Sequence, residues 1–306
     1  MNPPTLHRRQ FLALGCTAAA AGLATGLGCA STGSGNKKAL VGTQLYGWGQ
    51  YYDRSGKRLE EHLDEALKLI RDGGYDYAEG TLDVTEPGRN AAFAERLHRA
   101  NLVPVSLYTG GAFHVPGQAT KTAESIAKAA RAAKAAGFTG LVCNPDPIGR
   151  EKTDAELQTQ AAALAQLGAE LTSIGITLGL HHHTPELRSN GREFHFNFQK
   201  TSASTVGFCY DVHWVFRGGI QPADALRDYG SRIVSWHLRQ SRNKIWWEDL
   251  APGDINYTEV ATYARRHNLA TRLTVELALE TGTQITRSAA ENHQRSREFV
   301  RQTFGV

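Results

Sequence analysis

Eight short segments rich in apolar and β-branched residues recur along this chain at roughly 30-residue spacing, with runs of helical periodicity between them. They read LVGTQLY (40–46), YDYAEG (75–80), LVPVSLYT (102–109), TGLVCNP (139–145), ITLGLHHH (176–183), TVGFCYD (205–211), RIVSWHLRQ (232–240) and RLTVELAL (272–279). Helical runs such as RLEEHLDEALKLIRDGG and KTAESIAKAARAAKAAG end in glycine just before the next segment, the usual stop of a helix. Eight strand–helix units in one chain predict an α/β fold, a single closed (β/α)8 barrel over residues 39–306. A doubly wound open sheet is the alternative, but VGTQLYGWGQ after the first strand lacks the G-x-G-x-x-G spacing of a phosphate-binding turn. The fifth unit departs from the pattern. HHHTPELRSNGREFHFNFQKTSAS shows no long amphipathic helix and predicts a hairpin or extended loop over the barrel mouth, with REFHFNF in a structural hairpin rather than a binding lid.

Residues 1–38 read as something other than fold. Arg8 and Arg9 precede Phe11 and Leu12, and an Ala/Gly-rich apolar stretch follows, with no acidic residue before Asp53. This is the pattern of a twin-arginine export signal, which implies the twin-arginine machinery as a partner and a periplasmic or membrane-anchored location. GLGCAS (26–31) resembles a lipoprotein cleavage box, although Gly26 stands where leucine is usual. Lipidation of Cys29 and simple cleavage near Ala30 both stay open. STGSGNKK then reads as a flexible linker. Membrane contact is expected only through this segment. With Arg8 and Arg9 set aside, basic and acidic residues nearly balance, so no nucleic-acid partner is expected. Cys143 and Cys209 fall inside strands and read as buried free thiols.

In such a barrel the C-terminal strand ends converge on one mouth. Glu79, then His181, His182 and His183, then Asp211 and His213, then His237 and Arg239, and finally Glu276 all fall there. A lone strand-end aspartate is more often a turn or helix cap than a ligand, and a lone histidine can be a hydrogen-bonded core residue. Together, carboxylates and imidazoles without an evident counter-cation would repel and desolvate badly, and a divalent ion resolves that. Mixed oxygen and nitrogen ligands suit Mn, Mg, Co, Zn or Fe. Strand alternation turns His181 and His183 the same way and His182 into the layer behind. It likewise pairs Asp211 with His213 if the strand runs that far, and His237 with Arg239.

With these residues the chain resembles the xylose isomerase-like barrel superfamily, the sugar phosphate isomerase/epimerase group that includes inosose dehydratases and family 2 apurinic endonucleases. LHHHTPEL, GFCYDVHWVFRGG, RIVSWHLRQ, PGDINY and LTVELAL carry the likeness in order, from about Ala39 onward. The resemblance implies a divalent metal held by Asp211, His237 and Glu276. His181 stands at a fourth ligand position that is commonly glutamate, which puts the two-carboxylate epimerisation scheme in doubt. Arg239 stands where the family often has lysine. Trp214 occupies the place of a histidine found three residues after the aspartate in several epimerases, with His213 one residue earlier.

The chemistry implied is removal of a proton alpha to a carbonyl, with Glu79, Glu276 and His183 as candidates to move it and Arg239 to orient a hydroxyl or carbonyl. His213, Trp214 and Trp246 are candidates to contact the carbohydrate, Trp246 and Trp247 by stacking on a ring or else by packing. Export makes an unphosphorylated sugar or keto-sugar the expected substrate. The readings kept open are an isomerase or epimerase, a lyase or hydratase on an oxidised sugar or glycoside, and a non-catalytic carbohydrate-binding barrel.

Overall fold

The computed structural model describes residues 39–306; the signal, cleavage box and linker predicted over 1–38 lie outside the described residues. The eight apolar segments become β1 (Leu40–Gln44), β2 (Tyr77–Thr81), β3 (Ser106–Gly111), β4 (Gly140–Pro145), β5 (Thr177–Leu180), β6 (Gly207–Asp211) and β7 (Ile233–Leu238). A small hairpin of β8 (Ser241–Arg242) and β9 (Ile245–Trp246) intervenes before β10 (Arg272–Val275). All eight long strands pair in parallel, and β1 closes the circle by pairing with both β2 and β10. The single (β/α)8 barrel is therefore present. Tyr77 lies inside it, its hydroxyl 2.7 Å from Thr274 Oγ1, and Cys143 and Cys209 are buried free thiols.

The helices are α1 (Leu45–Arg54), α2 (Leu63–Asp72), α3 (Gly88–Arg99), α4 (Ala119–Ala135), α5 (Asp154–Ser173), α6 (Thr184–Lys200), α7 (Val212–Arg217), α8 (Pro222–Tyr229), α9 (Tyr257–Arg266) and α10 (Ala289–Phe304). Alanines along α4 bury against the barrel, and α5 starts with a reciprocal cap between Thr153 and Glu156. Gly175 stops the α5 unit at φ +73°, a conformation open to glycine at no steric cost. Among the described residues no helix is long and apolar enough to cross a membrane.

Two local expectations need correction. The first strand ends at Gln44 rather than Tyr46, because the Gln44 side chain accepts a hydrogen bond from Tyr46 N and starts α1. The fifth unit carries a helix, not a hairpin. Ser189, Asn190 and Gly191 all take positive φ and break α6 into two pieces, which hides its period. Beyond that kink Phe194 and Phe198, one turn apart, bury against Phe208 and Tyr229. REFHFNF is thus structural, as expected, but helical.

Candidate active site

The β5 ladder extends one residue beyond the strand, His181 N donating to Cys143 O at 2.7 Å. Alternation then holds through the three histidines. His181 and His183 lie with ring centroids 4.7 Å apart, while His182 turns outward onto Phe194 and Phe198. His183 N donates to Glu186 Oε2 at the start of α6, fixing the backbone where strand becomes helix.

Across the mouth, Asp211 ends β6, caps the helix that follows and also faces the mouth. Its Oδ1 caps α7 by accepting from Trp214 N at 2.7 Å, and its Oδ2 faces inward, 3.4 Å from His181 Nε2. His237 on β7 stands between two carboxylates. Its Nε2 is 2.8 Å from Glu79 Oε1 and its Nδ1 is 2.8 Å from Glu276 Oε2. Glu276 follows β10 and is held in register by its N–H to Leu238 O. Glu79 also accepts from Ser106 Oγ at 2.6 Å.

One ligand atom from each of His181, Asp211, His237 and Glu276 lies within 4.8 Å of the others, and all four residues are buried. His237 Nδ1 and Glu276 Oε2, though 2.8 Å apart, are out of line for a hydrogen bond, and both are buried without a partner. A shared cation would satisfy both. With Nε2–H donated to Glu79, loss of the Nδ1 proton would turn that lone pair toward a bound ion, the carboxylate–histidine–metal arrangement that orients a ligand. Two nitrogens and two carboxylates make a donor set that fits a divalent transition ion or magnesium.

Charge balance differs from the expectation of an uncompensated mouth. Arg239 is buried, with Nη2 2.6 Å from Asp211 Oδ2 and 3.6 Å from Glu276 Oε2. Its guanidinium lies 5.0 Å from the Trp214 ring centre and 4.4 Å from that of Trp246. Burial alone would raise Asp211 and Glu276, but Arg239 and the neighbouring histidines outweigh it and hold both carboxyls below their usual range. Burial opposes charge on His237, yet Cys209, Glu79 and Glu276 push it above the usual imidazole range. Arg239 Nε and Nη1 keep no hydrogen-bond partner. The case for a cation therefore rests on the convergence of the four ligand atoms, with His237 Nδ1 and Glu276 Oε2 unpartnered, rather than on bare repulsion.

Above this floor opens a cleft of about 760 Å³, within the range of roughly 300–1,000 Å³ for small-molecule sites. Glu79, Tyr108, His183, Trp214, Arg239, Trp246 and Glu276 line its inner part. Burial and then His181 push His183 down to about 3, so its ring is neutral near pH 7.

Residues 67–303 match the sequence profile of the xylose isomerase-like TIM barrel. The chain belongs to that family. No curated protein matches it by sequence. Among solved structures it is similar to a sugar phosphate isomerase/epimerase from Parabacteroides distasonis, at 18% identity over 88% of this chain and 95% of that one, with a TM-score of 0.68. It is also similar to a D-allulose 3-epimerase from Methylomonas sp. in complex with D-allulose, at 14% identity over 87% and 98%, with a TM-score of 0.68. A third neighbour is a 3-keto-D-glucoside 4-epimerase from E. coli, at 16% identity over 87% and 100%, with a TM-score of 0.62. At these identities the likeness is one of fold.

Within this xylose isomerase-like barrel, two sequence-derived positions fall differently from expectation. β6 stops at Asp211, so His213 rides on α7 instead of continuing the strand. It packs edge-on to Trp246 and does not line the cleft. Glu79 lines the cleft with both oxygens already engaged, Oε1 by His237 and Oε2 by Ser106. Trp247 lies under Arg242, away from the cleft, whereas Trp246 forms its wall. Sequence reasoning missed Ser106, Tyr108 and Asn144. Tyr108 stands edge-on to His181 and donates to Asn144 Oδ1. Ser106 and Tyr108 alternate on β3, so the period-two rule applied to polar strand residues would have found them.

Proposed function

We propose that this protein is a metal-dependent sugar isomerase or epimerase that moves a proton alpha to the carbonyl of an unphosphorylated sugar or keto-sugar. The observation that carries this reading is the convergence of His181, Asp211, His237 and Glu276 at the floor of a sugar-sized cleft, with Glu276 Oε2 left without a partner. The neighbours support it through a shared chemistry. The D-allulose 3-epimerase and the 3-keto-D-glucoside 4-epimerase each invert a carbon next to a ketone. Charge supports the absence of phosphate. Among the described residues lining the cleft, Arg239 is the one cationic side chain, against Asp53, Glu60, Glu79 and Glu276.

His181, Asp211, His237 and Glu276 would hold the divalent ion, Mn, Mg, Co, Zn or Fe, whose chemistry is to polarise a carbonyl and its neighbouring hydroxyl and so acidify the C–H between them. Glu276, ionised and facing the cleft, accepts that proton from carbon; returning it to the adjacent carbon isomerises the sugar, and inversion at the same carbon takes its new proton on the opposite face, from water or from a substrate hydroxyl beside His183. Glu79 keeps His237 in one tautomer. Arg239 offers its unpartnered N–H groups to a substrate oxygen, and neutral His183 hydrogen-bonds a hydroxyl. Trp214 and Trp246 form an apolar wall for a ring and exclude water.

The experiment is metal analysis of the purified protein, followed by incubation with ketoses and keto-glycosides in D2O. Deuterium should appear at the carbon beside the carbonyl. Chelation should abolish exchange, and Glu276→Gln should slow it by about 10²–10⁴-fold, the usual worth of a general base. A metal-free protein that is indifferent to chelator and exchanges no proton would sink the reading. It would leave the carbohydrate-binding barrel if sugars still bind.

A lyase or hydratase is the second reading, favoured by His181 at a position where a second carboxylate is common in the family. The same proton is removed, but a β-substituent then departs. Loss of water or aglycone from the product mass separates the two. We further propose that Arg8 and Arg9 direct export. Cell fractionation of the wild type and of the Arg8→Lys/Arg9→Lys pair tests this, and an unchanged periplasmic fraction would refute it.

A further inference from the structure

We propose that the cleft accepts a two-ring substrate, a disaccharide or a glycoside whose second unit is a sugar, with that second ring lying along α1. This rests on the sugar-isomerase reading of the floor and adds the class of substrate. The cleft continues well past Glu276 and Arg239, and its outer part is walled by Tyr46, Gly49 and Asp53 of α1 and by Leu59 and Leu63 opposite. Tyr46 is 57% exposed at this rim, an aromatic side chain more than half open to solvent. The Asp53 carboxylate, two turns further along the same side of α1, makes no hydrogen bond or ion pair among the described residues. An aromatic face takes the C–H side of a pyranose, and a carboxylate takes its hydroxyl protons. The same acidic rim disfavours a phosphate or carboxylate tail.

Gly49 supplies an independent observation. Glycine is a poor helix residue, and α1 holds two. Gly47 has a packing reason, since a Cβ there would stand 2.7 Å from Leu277 O. Gly49 has none of that kind. Its nearest neighbour would be Leu59 Cδ2, 3.9 Å away on the opposite wall of the cleft. A Cβ at Gly49 would already be in van der Waals contact with Leu59, so any longer side chain there would be pushed into the outer part of the cleft.

The test is deuterium exchange from D2O by the metal-loaded protein on matched pairs: D-fructose against turanose, maltulose and isomaltulose, and 3-keto-D-glucose against its α- and β-glucosides. In at least one pair the two-ring sugar should show kcat/KM about tenfold or more above its free ring. Tyr46→Ala and Gly49→Leu should each bring that ratio down toward one. Leucine is the better helix former, so the second variant is expected to fold, with thermal melting as the check. Free rings exchanged as well as or better than their glucosides in every pair would overturn the proposal. So would a ratio that neither variant moves. Exchange on none of these sugars, free or glycosylated, would instead remove the proton-transfer reading beneath it, and the proposal with it.

Discussion

Glu186 shows how a residue behind the site sets its conditions. It is buried at the start of α6, accepts from His183 N, and has Oε1 without a partner. Burial pushes its carboxyl up from 4.5 to about 7, with Glu193 adding and the His183 N–H and Lys152 opposing. A folded-state pKa above the unfolded one means that the protonated acid favours folding. That contribution is complete below about pH 4.5 and is lost as pH rises through about 7. Glu186→Gln keeps an acceptor for His183 N and removes the charge. Its stability relative to wild type should therefore improve between pH 5 and pH 8, by at most roughly 3 kcal/mol. Urea midpoints of both proteins at the two pH values measure this, and a constant difference would contradict it. Arg239 teaches a related lesson. As one letter in SWHLRQ it read as a substrate-facing group, and in the fold it is also the counter-ion of Asp211.

Among elements, α6 is the one that sequence periodicity concealed. Its left-handed break at Ser189–Gly191 resets the helical phase, so the apolar positions before and after do not add to one stripe. The stripe that matters is short, Phe194 and Phe198, and it stacks against His182, Phe208 and Tyr229. His182 is thereby held outside the barrel while its neighbours face in. Phe198→Ala should cost about 3–5 kcal/mol, the range for a buried aromatic replaced by alanine. Chemical denaturation measures that loss. A cost under about 1 kcal/mol would mean that α6 is not packed as described.

At the scale of the whole molecule, the four candidate ligands come from β5, β6, β7 and the end of β10, and β10 is the strand that β1 meets to close the barrel. The site cannot come apart while the barrel stays closed. Bound metal should therefore stabilise the entire domain rather than one segment. At metal about 100-fold above its Kd the gain is about 2.7 kcal/mol, or roughly 5–10 °C in Tm for a domain of this size. Far-UV circular dichroism and tryptophan fluorescence should melt together and shift together. A metal-induced shift in fluorescence alone would point to local tightening around Trp214 and Trp246.

The barrel was legible from sequence because strand and helix periods are local and recur eight times, and so were the positions of Asp211, His237 and Glu276 at strand ends. The opposite facing of His182 followed from alternation alone. Pairings across the mouth were not legible. Glu79 and His237 are separated by 158 positions in sequence, and only the closed barrel brings them to 2.8 Å. The reach of β6 decided that His213 leaves the cleft, and the packing of two tryptophans decided where Arg239 points. Spacing along a chain reports which way a side chain leaves its own element. What it meets there depends on the register of strands far away, and that is set only when the sheet closes.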